Sequence, residues 1–176
     1  MILESSIQTP LGKMLVGATD SGICLFDFEH RKMMPSIKAR IRKSLGMDFQ
    51  DGEHEYHGLL QKQLNEYFSG ERKVFDLPLC YTGTDFQAKV WNELLSIPYG
   101  STKTYMDLTK KLGDVNAIRA VARANGENCL AIIVPCHRVI GSNGDLTGYA
   151  GGLRNKKWLL EHEAKHAGTA YQEELF

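Results

Sequence analysis

The stretch "TYMDLTKKLGDVNAIRAVARAN", residues 104–125, decides how the second half of the chain is read. Thr104 and Asp107 have capping-box spacing, in which each residue's side chain satisfies the other's backbone N–H, so a helix is expected to open at Tyr105. Gly113 stands where a helix C-terminus takes a left-handed residue, and Asp114 can cap a second helix, "VNAIRAVARAN", ending at Gly126. Two short helices separated by Gly-Asp are a helix-turn-helix candidate, a pattern that any compact helical pair also satisfies. Two features tilt this pair toward DNA. Between Tyr99 and Asn125 the charges are Lys103, Lys110, Lys111, Arg119 and Arg123 against Asp107 and Asp114, a local positive excess in a chain whose 21 basic and 21 acidic residues cancel. The second helix also carries Ala117, Ala120, Ala122 and Ala124, small enough to bring its backbone close to another surface; the alternative is tight packing on its neighbour.

Upstream, "TDFQAKVWNELLSIP" repeats the capping device with Thr84 and Gln87, and Phe86, Val90, Leu94 and Leu95 make a helical face that stops at Pro98. The first half has a different texture. "GKMLVGATDSGICLFDF" predicts a hairpin turning at Asp20, Ser21 and Gly22. "PSIKARIRKSL" and "YHGLLQKQLNEYF" carry helical periodicity, the second with Leu60, Leu64, Tyr67 and Phe68 on one stripe, and "KVFDLPL" could add a strand. The turn-rich segment from Pro78 to Thr84 divides an α/β lobe, residues 1–80, from a mostly helical lobe, residues 81–176, which makes the class α+β. With 176 residues and 43% apolar content, the chain can fill such cores.

Downstream, "AIIVPCHRVIGSNGD", residues 131–145, sets a cysteine beside a histidine after an apolar, β-branched run. "LAIIVP" predicts a buried strand ended by Pro135, with Cys136 at its exit, a turn at Asn143 and Gly144, and a glycine-rich loop "TGYAGG". The helix "NKKWLLEHEAKH" then brings Trp158, Leu159 and Leu160 to the core. A cysteine at a strand end is usually a small buried hydrophobe. Here a base, His137, and a cation, Arg138, follow at once, and both are means of raising the thiolate fraction on which nucleophilicity depends. Contact between neighbours on extended chain needs a turn after Pro135 or a bridging water, and Glu163 is the candidate acid that fixes the imidazole tautomer.

Glu4 interrupts the N-terminus, and no apolar run approaches the roughly 18 residues of a membrane span, so an intracellular, cytoplasmic protein without membrane contact is expected. Cys24, Cys80, Cys129 and Cys136 form no CxxC pair and are expected as reduced thiols. Neither zinc spacing nor a phosphate loop is present, so no metal and no cofactor are expected.

Pro135-Cys136-His137-Arg138-Val139 with "GYAGGL" downstream, and "IPYGSTKTY" with "AIRAVARAN" upstream, resembles the O6-alkylguanine-DNA alkyltransferases, also called methylated-DNA-protein-cysteine methyltransferases. The likeness runs from about Phe86 to Ala164, with a looser match at "TPLGKMLV". It implies an RNase H-like N-terminal lobe, a helix-turn-helix lobe whose second helix enters the minor groove, and a flipped-out nucleotide. The implied activity is direct, stoichiometric transfer of the alkyl group from O6-alkylguanine, with O4-alkylthymine as a further candidate, to a cysteine. The implied partner is double-stranded DNA containing alkylated bases, met by a monomer.

By matching positions, the resemblance makes Cys136 the acceptor, His137 the base acting through a water, Glu163 the carboxylate behind it, and Asn128 the brace of the active-site turn. Arg119 would fill the space left by the base, and Tyr105 would displace the phosphate and donate to the base. Val139, Tyr149, Ala150 and Gly151 would line the base pocket, and Ser142 would touch the DNA backbone. Some relatives bind zinc in the first lobe; Cys24, His30, His54 and His57 do not have that spacing. Ala150 stands where some relatives have Ser, a change that a backbone N–H contact would survive. Relatives that bind lesions without repairing them have tryptophan at the cysteine position. Two rivals remain, a non-catalytic lesion-binding module and a cysteine redox sensor or thiol hydrolase; Cys136 opposes the first and the helix-turn-helix the second.

Overall fold

A computed structural model of the chain describes residues 1–168, so the end of the expected second lobe, 169–176, lies outside the described residues. Two compact units follow one another, Met1–Gly83 and Thr84–Phe176. In the first, strands β1 (Ile2–Thr9), β2 (Gly12–Thr19), β3 (Gly22–Phe28) and β4 (Phe49–Asp51) form one sheet in the order β3-β2-β1-β4. Pairing is antiparallel except between β1 and β4. The hairpin turns at Asp20 and Ser21, and β3 is buried along its whole length. Gly22, with φ +139°, leaves no room for a Cβ, which would lie 2.8 Å from the Pro78 carbonyl oxygen.

The polar strand β1 is not legible from its composition, because its side chains are satisfied rather than apolar. Glu4 meets Lys38 at 2.6 Å and Ser5 Oγ lies 3.0 Å from His57 Nδ1. Helices α1 (Met34–Leu45) and α2 (Glu55–Phe68) flank β4 in the chain. Leu60, Leu64 and Tyr67 of α2 are buried as expected, Phe68 only half so. "KVFDLPL" is not the strand it suggests. Gln63 takes both backbone groups of Asp76 with its side-chain amide, and Pro78 has no N–H to give, so pairing shrinks to a single bridge between Leu79 and Ile23.

In the second unit α3 (Asp85–Leu94) opens on the Thr84–Gln87 capping box. Its buried stripe is Val90, Trp91 and Leu94, whereas Phe86 and Leu95 are exposed. Trp91, not named on that face, is buried, and its Nε1 donates to the Ala124 carbonyl at 2.8 Å. After β5 (Lys103–Thr104), α4 (Tyr105–Lys111) begins on the Thr104–Asp107 box. Gly113 has φ +98°, and Asp114 caps a 3-10 turn, Val115–Ala117, that leads into α5 (Ile118–Gly126). α5 packs on α3 and α4. Ala124 faces that packing, while Ala120 and both arginines of α5, Arg119 and Arg123, are exposed. The last described elements are a two-residue strand β6 (Val139–Ile140), parallel to β5, and α6 (Leu153–Ala167). Leu159 and Leu160 of α6 are buried, but Trp158 is half-buried, stacked on His162 at 4.8 Å. Among the described residues no helix is long and apolar enough to cross a membrane.

Candidate active site

The run "LAIIVP" is buried throughout, as its composition demands, yet it is a series of turns and not a strand. A short apolar run reports burial, not extension. The backbone is satisfied locally. Val134 N–H donates to Leu130 at 2.9 Å, Ile133 N–H to Ala131 at 2.8 Å, and Cys136 N–H to Val134 at 2.8 Å. The latter two close three-residue turns around Ile132 and Pro135. Ile132 has φ +70°, a conformation that costs a β-branched residue on the order of 1–3 kcal/mol. Asn128 spans the coil, its Oδ1 accepting from Leu130 N–H at 3.0 Å and its Nδ2 donating to the Val134 carbonyl at 2.9 Å.

This coil delivers Cys136, His137 and Arg138 as one 3-10 turn, and all three side chains are buried. Cys136 is a thiol, not half of a disulfide. His137 Nε2 lies 2.7 Å from Glu163 Oε2 of α6. Arg138 holds the same carboxylate with Nε at 2.7 Å from Oε1 and Nη2 at 3.1 Å from Oε2, and its Nη1 donates to the Ile97 carbonyl at 2.7 Å. The guanidinium is therefore spent on Glu163 and Ile97, a different use from the thiolate-stabilising cation its place beside Cys136 suggests. Burial alone would raise the Glu163 pKa, but the hydrogen bonds from His137 and Arg138 and the charge of the guanidinium outweigh it and hold the carboxylate ionised. Burial pushes His137 down, against the pull of Glu163, so the imidazole is neutral. An ionised carboxylate at Nε2 fixes the proton there and leaves Nδ1 as the basic lone pair. That Nδ1 is buried and accepts no hydrogen bond from the described residues.

The parallel pairing of Lys103 with Val139 and Thr104 with Ile140 brings the start of α4 beside the exit of the cysteine turn. Tyr105, first in α4, donates its hydroxyl to the Thr147 carbonyl at 3.3 Å. Burial, with the charge of an ionised Cys136, raises its pKa and keeps the phenol a donor. Tyr105, Arg119, Ile118, Ala122, Thr147 and Gly148 line a cleft of ≈ 470 Å³. Val139 and Gly151 are buried, Tyr149 and Ala150 half-buried, and the Tyr149 ring meets that of His137 edge-on at 6.4 Å. Ser142 is exposed on the turn after β6 and is not part of the cleft wall.

One buried residue at this site was missed by the reading of the sequence. Lys156 of α6 is 0% exposed and donates to the carbonyls of Val139 at 2.7 Å, Thr147 at 3.1 Å and Gly148 at 3.4 Å. Its signal was present, since Lys156, Leu160 and Glu163 share one stripe of α6. In the first unit, Cys24 donates its thiol to Gly17 O at 3.5 Å and His57 belongs to the α2 capping box. Among the described residues no group of three or more His, Cys, Asp or Glu side chains could hold a metal ion.

Residues 2–81 match the family described as 6-O-methylguanine DNA methyltransferase, ribonuclease-like domain, and residues 85–165 match 6-O-methylguanine DNA methyltransferase, DNA binding domain. A methylated-DNA–protein-cysteine methyltransferase of Methanosarcina acetivorans is 42% identical over 156 residues, 89% of this chain and 94% of that protein. One of Shigella flexneri is 41% identical over 169 residues, 92% of this chain and 95% of that protein. A crystal structure of Mycobacterium tuberculosis OGT in complex with DNA superposes with a TM-score of 0.82 at 39% identity, over 93% of this chain and 94% of that one.

Proposed function

The chain belongs to the 6-O-methylguanine DNA methyltransferase family, and from that premise we propose that it repairs duplex DNA by moving the alkyl group of O6-alkylguanine onto Cys136, once per chain and without a cofactor. The observation that carries this reading is the buried relay behind the thiol: neutral His137, its Nε2 proton fixed by Glu163, which Arg138 in turn keeps ionised. A protein that only bound lesions would have no use for it.

The Cys136 proton passes through a water to His137 Nδ1, and Glu163 stabilises the imidazolium that forms. The thiolate attacks the alkyl carbon in line with the C–O6 bond; a sulfur–carbon bond forms, the carbon–oxygen bond breaks, and its electron pair stays on guanine. Guanine then regains a proton. Tyr105 lowers that barrier by donating its hydroxyl to the base as negative charge develops.

The target base has to leave the stack to reach a buried sulfur. Arg119, exposed on α5 at the cleft edge, fills the vacated space, and Tyr105 displaces the phosphate beside it. Val139, Tyr149, Ala150 and Gly151 line the pocket that receives the base, Ser142 contacts the DNA backbone, and Asn128 braces the turn that carries the sulfur. The exposed Ala120 and half-buried Ala122 of α5 suit it to the minor groove, whereas Ala124 is taken up by packing. O4-alkylthymine offers the same alkyl–oxygen bond and is the further substrate. The protein acts as a monomer in the cytoplasm, where glutathione keeps a nucleophilic thiol reduced.

The test is stoichiometry. With O6-methylguanine duplex in excess, methyl mass should rise to one equivalent per chain, on the peptide containing Cys136, and stay there, because a thioether has no good leaving group. Continued turnover with an unmodified Cys136 would sink the proposal.

A further inference from the structure

Lys156 occupies a position that is unfavourable on two counts. It lies in the first turn of α6, where the helix dipole repels a cation, and it is 0% exposed, where an ammonium loses its hydration. Burial brings its pKa down to about 8, with the charge of an ionised Cys136 acting in the opposite direction. What offsets these costs is geometric: the ammonium has three protons, and they go to the carbonyls of Val139, Thr147 and Gly148. Val139 leaves the cysteine turn, and Thr147 and Gly148 belong to the loop on the far side of the turn at 141–145. Lys156 therefore ties the two edges of the site together.

The Thr147 carbonyl is shared. It accepts from Tyr105 Oη at 3.3 Å as well as from Lys156 Nζ at 3.1 Å. When Tyr105 turns its hydroxyl to a base, the carbonyl keeps a donor, so the departure leaves no unsatisfied acceptor. Resting on the alkyl-transfer reading above, we propose that Lys156 is a positioning residue of that reaction: it holds the Thr147 carbonyl and its loop while Tyr105 moves from that carbonyl to the base, and its charge stabilises the Cys136 thiolate. The second role is reciprocal by necessity, since a thiolate that favours the ammonium is favoured by it to the same extent. Besides Cys136, the titratable groups that bear on this charge are His137, whose pKa Lys156 depresses, and Tyr105, whose pKa an ionised Cys136 raises.

The experiment compares wild type with Lys156→Met and Lys156→Arg in the full chain. Iodoacetamide capture of Cys136, located by peptide mapping across a pH series without DNA, reads the thiol titration. Single-turnover methyl transfer from saturating O6-methylguanine duplex reads the rate, and fluorescence anisotropy reads duplex affinity. Lys156→Met should move the thiol titration to higher pH and slow transfer by up to about 100-fold, the scale of a misplaced catalytic group, with affinity unchanged. Lys156→Arg, which keeps the charge, should restore the thiol titration. An unmoved thiol titration in folded Lys156→Met overturns the inference even if transfer slows, because lost packing alone slows transfer without touching the titration. If Lys156→Met does not fold, Lys156→Gln removes the charge and keeps a donor, and its thiol titration decides in the same way. Wild-type protein that takes up no methyl mass would instead sink the alkyl-transfer reading itself.

Discussion

Among the described residues each unit buries one carboxylate against an arginine, and the two carboxylates behave oppositely. Asp27 on β3 accepts from Arg31 Nη1 at 2.6 Å and from the Phe28 N–H at 2.9 Å, yet burial wins and its pKa is raised above 3.8. Glu163 is buried to a similar degree but accepts two bonds from Arg138 and one from His137, and its pKa falls below 4.5. The difference lies in how many donors converge on the carboxylate. One guanidinium contact and one amide give a local tether within the sheet unit. A bidentate guanidinium plus an imidazole keep the carboxylate charged, and both donors belong to the turn that carries Cys136.

If chemistry is confined to the second unit, cysteine replacement should separate the units completely. Cys136→Ala should take up no methyl mass from O6-methylguanine duplex while binding it normally, because phosphate contacts do the positioning. Cys24→Ala, equally buried on β3, should transfer one full equivalent. Intact mass after incubation checks both, and transfer by the first variant would end the assignment.

The carboxylates themselves come next. Glu163→Gln strands the Arg138 charge and releases the His137 tautomer, so we expect a loss of about 3–5 kcal/mol in stability and roughly 100-fold slower transfer by the folded fraction. Asp27→Asn keeps an acceptor for the Phe28 N–H and should cost only about 1–3 kcal/mol, with transfer per folded molecule unchanged. Urea unfolding combined with active-site titration separates the two effects.

Acid should act on the units with opposite sign. His137 is depressed from 6.5 and Glu163 from 4.5, so both contribute stability that is present above those values and is lost as pH falls below them, when the unfolded chain takes up protons the folded one refuses. Asp27 is raised, so its contribution is present below 3.8 and is lost as pH climbs through its folded value. Trp91 and Trp158, the only tryptophans in the sequence, are both in the second unit. Their fluorescence midpoint in urea should fall steadily as pH is lowered from 6.5 through 4.5. A flat midpoint over that range would mean that the relay is not held in these charge states.

The smallest effect tests whether the units unfold separately. Thr84 caps α3 and His54 caps α2, each through a box closed in both directions. Alanine at either should cost about 1 kcal/mol. Only Thr84→Ala should move the tryptophan transition; an equal shift from His54→Ala would show that the two units melt as one.

Local chemistry makes much of this molecule legible in its sequence. The capping boxes at Thr84 and Thr104, the left-handed Gly113, the hairpin at Asp20–Ser21 and the buried stripe of α2 each depend on residues a few positions apart, so the sequence by itself determined them. Cys136, His137 and Arg138 share one turn for the same reason, being consecutive. What the tertiary structure alone decided was partnership over distance. "LAIIVP" is apolar because it is buried, but whether it runs straight or coils depends on Asn128, whose amide takes the places a neighbouring strand would have filled. "KVFDLPL" loses its strand to Gln63, and the polar β1 gains one through Lys38 and His57. Arg138 turns to a carboxylate 25 residues away, and Lys156 finds its carbonyls 8, 9 and 17 residues back. A side chain's donors and acceptors are written in the sequence, but which groups satisfy them is settled only when folding removes water and leaves each buried polar atom the partners that geometry has brought within reach.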